Sequence, residues 1–125
     1  MRWSKGLLVV AVLLMPALAS AQAVIQINTI EVDASKVQDY LDGLKKLGPI
    51  LEKHAPSAKM RVWQSTVAGP NSNRVSVVLE FSNAVAWAEG IQKVQSDPAF
   101  AGFLRGLEAT GRKIVSVSLA TEVTP

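Results

Sequence analysis

The chain has 125 residues, 13 Lys and Arg against 10 Asp and Glu, and no cysteine. That length supplies one domain, and without a thiol there is no disulfide scaffold, no thiolate metal site and no cysteine-linked lipid anchor. Arg2 and Lys5 lie in an N-terminal leader that holds no acid, so 11 basic and 10 acidic side chains remain beyond it, a balance that argues against nucleic acid or an anionic membrane surface as partner.

The leader reads as a cleavable secretory signal. Its two cations precede an uncharged apolar run of about ten residues, GLLVVAVLLM, which Pro16 breaks. Small residues then recur around Ala19-Ser20-Ala21, the pattern a signal peptidase requires. A membrane span needs roughly twenty apolar residues, so the run is too short for a retained anchor. The expectation is a signal peptide over 1–21 and a periplasmic or secreted domain over 22–125 that begins at Gln22, or at Val24 if a second site is cut.

Residues 24–32 (VIQINTIEV) are rich in β-branched side chains and predict a strand. Asp33 offers a carboxylate as helix cap, after which Val37, Tyr40, Leu41, Leu44, Leu47 and Leu51 form one apolar stripe at helical spacing. Gly48-Pro49 predicts a kink or restart within it, because proline lacks the N–H and crowds the preceding turn. Residues 59–68 read as a second strand and 69–73 (GPNSN) as a turn. Residues 74–81 (RVSVVLEF) alternate cleanly: Val75, Val77, Leu79 and Phe81 face one way, Arg74, Ser76, Val78 and Glu80 the other. Ser82 or Asn83 caps a helix with Ala84, Trp87, Ala88, Ile91 and Val94 on its apolar side. Asp97-Pro98 starts another, with Phe100, Phe103, Leu104 and Leu107 inward and Gly111 as its stop. Residues 113–123 predict the last strand, Val115, Val117 and Leu119 facing the helices and Ser116 and Ser118 facing away.

The order β-α-β-β-α-β, with the second helix in two pieces, is the ferredoxin-like α+β arrangement: an antiparallel sheet with helices on one face. The stretch EFSNAVAW at 80–87, followed by SDPAF at 96–100, resembles a pattern of the dimeric α/β-barrel superfamily. In it a strand ending in an acid and an aromatic enters a helix that restarts at Asp-Pro. That superfamily includes cofactor-free antibiotic-biosynthesis-type monooxygenases, NIPSNAP and EthD-like proteins, and stress-responsive barrel proteins. The resemblance implies a homodimer packed sheet against sheet, with a pocket between sheet and helices in each copy.

Four side chains are candidates for a ligand site. Trp63, mid-strand beside Arg61 and Gln64, faces either the helices or the open side of the sheet, and period alone does not decide. Glu80 is an acid in a strand, where acids are disfavoured; it forms a cross-strand pair with Arg61 or Arg74, or it anchors a ligand. His54, the only histidine, sits at a helix end, where an exposed imidazole favours the dipole. In some barrel monooxygenases a histidine, a tryptophan and an asparagine line the pocket, which keeps His54 among the candidates. Trp87, on the helix stripe, reads as core. One histidine and no cysteine leave no metal site, no cofactor is implied, and no nucleophile, phosphate-loop or dinucleotide motif occurs. Three functions stay open: a barrel of unassigned activity binding a small apolar or aromatic molecule, a cofactor-independent monooxygenase acting on an aromatic substrate, and a structural module for self-association.

Overall fold

Hydrogen-bonded pairing joins four strands, in spatial order Lys59–Gln64, Arg74–Phe81, Val24–Glu31 and Lys113–Thr121, every neighbour antiparallel. The computed structural model describes residues 22–65 and 73–125. The expected signal peptide, and the turn apart from Asn73, lie outside the described residues. The elements are β1 (Val24–Glu31), a 3-10 turn (Ala34–Lys36), α1 (Val37–Leu44), α2 (Leu47–His54), β2 (Lys59–Gln64), β3 (Arg74–Phe81), α3 (Ala84–Ser96), α4 (Pro98–Glu108) and β4 (Lys113–Thr121). This is the ferredoxin-like α+β fold.

Alternation on β3 sets the layers. Val75, Val77, Leu79 and Phe81 are buried against the helices, while the residues between them are only half-buried. Burying one such side chain contributes about 1.5–3 kcal/mol, so four on one strand outweigh any local preference and lock its face. Ile30 and Val32 from the first strand and its exit, Tyr40, Leu44, Leu47 and Leu51 from α1 and α2, and Val94, Phe103 and Leu107 from α3 and α4 complete the core.

Local chemistry ends the helices much as expected, with three differences. Asp33 caps the 3-10 turn, accepting from the Ser35 backbone N–H at 3.0 Å, and α1 begins only at Val37. The break in the first helical stretch falls at Lys45-Lys46, ahead of Gly48-Pro49. Pro49 then occupies the first turn of α2, where a missing N–H removes no intrahelical bond. The third difference lies in β4, where the pairing runs Thr29 to Ser116 and then Ile30 to Ile114, skipping Val115. This bulge puts Ile114 in register with Val117 and Leu119, in the place expected for Val115, but the helices do not bury this set: the three are 53 %, 60 % and 47 % exposed. β2 ends at Gln64 and β4 at Thr121, short of the expected 68 and 123, while three local signals hold. Asn83 accepts from the Ala86 N–H, Asp97 from the Ala99 N–H with Pro98 at the first helical position, and Gly111 takes a left-handed φ of 74°.

Candidate functional site

Register with β3 decides the orientation of β2. Arg61 pairs with Val78 and Trp63 with Ser76, so both share the open face of the sheet with Glu80. Arg61 Nη2 donates to Glu80 Oε1 at 3.1 Å, while Arg74 lies 3.8 Å from Glu31. A partly exposed pair of this kind contributes about 0.2–1 kcal/mol. Trp63 is 62 % exposed. Around these groups the face carries Ile25, Ile27 and Val78, each half-buried. Three of the four candidates therefore meet on one surface.

His54 is elsewhere and is no exposed helix-end residue. It is the last residue of α2, with its side chain 21 % exposed, and its Nε2–H donates to Asp97 Oδ2 at 2.7 Å. The other oxygen of Asp97 caps α4, and Lys53 Nζ lies 3.5 Å from Oδ2. One carboxylate thus ties the end of α2 to the α3–α4 junction, a structural use of the histidine. The Ala99 N–H, then the His54 hydrogen bond, then the charges of Lys53 and His54 hold the Asp97 carboxyl below its ordinary value against the push of burial. A depressed carboxylate pKa gives stability that is present above the unfolded value, near ~3.9, and lost as pH falls through the lower folded value. Asp97→Asn is therefore expected to melt below the parent at pH 7, with the gap narrowing as the pH falls below the ordinary carboxylate range, as thermal melts against pH will read.

Between sheet and helices lies a cavity of about 140 Å³. Its walls are mostly apolar: Leu44, Leu47 and Leu51 from α1 and α2, Val77 and Leu79 from β3, and Ile91, Val94, Phe100, Phe103, Leu104 and Leu107 from α3 and α4. Its polar lining is Gln26 and Asn28 from β1, Tyr40, Gln95 and Arg112. None of Arg61, Trp63, Glu80 or His54 is among the lining residues. Two of the polar residues had a sequence signal. Gln26 and Asn28 alternate with buried Val24 and Ile30, so β1 turns two amides toward the core. Trp87, expected as core, is half-buried, and its indole Nε1–H donates to Gln26 Oε1 at 2.8 Å. Gln26 Nε2–H in turn donates to Asn28 Oδ1 at 3.2 Å. Burial pushes the Tyr40 phenol above its ordinary value, with the Arg112 charge pulling the other way, so the hydroxyl keeps its proton at neutral pH. No three His, Cys, Asp or Glu side chains gather to hold a metal ion among the described residues.

No protein-family model matches the sequence, and no curated protein matches it. Solved structures do. A NIPSNAP family protein of unknown function from Agrobacterium tumefaciens is 17 % identical at a TM-score of 0.62, covering 82 % of this chain and 87 % of its own. An uncharacterised NIPSNAP domain protein from Burkholderia xenovorans is 16 % identical at 0.62, covering 82 % and 94 %. A Caulobacter crescentus protein named as a candidate antibiotic biosynthesis monooxygenase is 10 % identical at 0.59, covering 84 % and 92 %. The chain thus shares the ferredoxin-like fold of NIPSNAP and antibiotic-biosynthesis-monooxygenase-like proteins, the superfamily that its own 80–100 stretch resembles.

Proposed function

We propose that this chain is an exported, homodimeric α/β-barrel protein that holds a small apolar molecule between its sheet and its helices. The cavity is the observation that carries the reading: lined by leucine, valine and phenylalanine, with a few polar groups among them, it has the make-up of a small-molecule site. Its volume is close to the ~150 Å³ that accommodates one benzene ring. Trp63, Arg61 and Glu80 belong to the dimer rather than to the ligand in this reading. Ile25, Ile27, Val78 and the indole of Trp63 make the open face partly apolar, and a second copy would cover it by a two-fold axis. The leader pattern supports export, and among the described residues no helix is long and apolar enough to cross a membrane.

The monooxygenase reading draws on the fold shared with proteins named for that activity. Oxygenation activated by the substrate itself needs mainly a shaped, dry pocket, which this cavity resembles. The described residues lining it hold no histidine and no carboxylate to act as a base, which favours binding over catalysis.

Native mass spectrometry of the protein from its producing cells tests the proposal. The expected result is twice the mass of a chain beginning at Gln22 or Val24, with a bound small molecule. Val78→Glu should yield monomer, because it places a second carboxylate beside Glu80 in the middle of the covered face. An intact Met1 would overturn export, and a monomeric parent would overturn the dimer.

A further inference from the structure

The polar lining of the cavity is rich in hydrogen-bond donors and holds no anion, and the orientation of two of its amides begins at Trp87. An indole nitrogen only donates, so Gln26 must present its carbonyl to Trp87. The Gln26 amide N–H2 is then turned toward Asn28, which must present its own carbonyl to receive it. With each carbonyl already accepting one bond, the Asn28 N–H2 group is the free donor on the cavity wall. Tyr40 adds a protonated hydroxyl that bonds to no protein group among the described residues. Arg112 adds a half-buried guanidinium that pairs with no carboxylate among the described residues, and it is the sole charged side chain in the lining. An amide N–H2, a phenol O–H and a guanidinium, with the Gln95 amide beside them, thus line one largely apolar chamber with no anion among them.

Resting on the binding reading above, we infer that the cavity selects a one-ring or short-chain ligand bearing an anionic oxygen group, a carboxylate above all. The ring or chain lies among Leu44, Leu79, Phe103 and Leu107. The oxygens meet Arg112, Tyr40 and Asn28. Burying a carboxylate without partners is expensive, but Arg112 is only half-buried, so the anion keeps part of its hydration while it gains charge-assisted bonds. An ammonium group of the same size would meet donors and a like charge.

The test is calorimetric titration of the purified protein with benzoate, toluene and benzylamine, three one-ring probes that differ in the polar group. Benzoate is expected to bind at least tenfold more tightly than either of the others. Arg112→Gln and Tyr40→Phe should each weaken benzoate about tenfold, the size of effect that a hydrogen bond to a charged group has, and leave toluene within twofold. Arg112 lies outside the buried core, so Arg112→Gln carries the test should Tyr40→Phe fold poorly. Toluene or benzylamine binding as well as benzoate would overturn the selection while leaving the cavity a binding site. Benzoate binding that ignores both variants would place it elsewhere and overturn the inference. Failure of all three probes would overturn the cavity reading together with it.

Discussion

Phe81→Ala is expected to lower the free energy of unfolding by about 3–5 kcal/mol, the range for deleting a buried aromatic side chain. The ring is 2 % exposed and belongs to the cluster that joins β3 to the helices. Its seat depends on Gly90 in α3. A Cβ at that position would approach both Phe81 Cε2 and Ala55 Cβ to 3.2 Å, tighter than a relaxed contact allows, so the helix descends onto the ring because glycine leaves room. Removing the ring leaves a void where the sheet meets the α2–β2 connection and α3, and a rigid sheet closes such a void poorly. Urea denaturation checks the value; a loss under about 1 kcal/mol would mean that neighbouring side chains collapse into the space.

Trp87→Ala follows, with an expected loss of about 3 kcal/mol, at the lower edge of the range for core aromatics because the side chain is half-buried. Part of the loss is packing and part is the indole bond to Gln26. Trp87→Phe separates the two, since it keeps a ring and removes the donor; it should lower stability by about 1 kcal/mol. Without that donor neither Gln26 nor Asn28 is held in one orientation, so Trp87→Phe should also narrow the preference for benzoate over benzylamine. Trp63→Ala is the contrast. Its side chain is 62 % exposed in the single chain, so chain stability should hardly change while the proposed dimer weakens, a difference that light scattering beside thermal melts will show.

Much of the fold was legible because its signals are local. Alternation along 74–81 names the buried face of β3 without reference to any other strand. Asn83 and Asp97-Pro98 announce helix starts because a cap acts on N–H groups two or three residues away. Gly111 marks the turn into β4 because the left-handed conformation disfavours every side chain. Those signals, read in order, sufficed for the element sequence and the ferredoxin-like class.

The site was less legible, because each of its contacts joins residues far apart in the chain. Which face of β2 carries Trp63 depends on its register against β3, and one residue of slip would have turned Arg61 and Trp63 toward the helices. The bulge at Val115 is a property of the β1–β4 pairing and leaves no mark in β4 alone. His54 meets an acid 43 positions away, so a residue that local rules put on the surface became a half-buried tie between helices. The two amides of β1 were visible as polar residues on an apolar face. That they are turned by a tryptophan 61 positions along from Gln26, and so leave the Asn28 N–H2 group free on the cavity wall, required the helix layer to be laid over the sheet. Sequence settles which residues prefer water and which turns close locally; only the packed structure, where one side chain satisfies or orphans another, decides which polar groups are left free to meet a ligand.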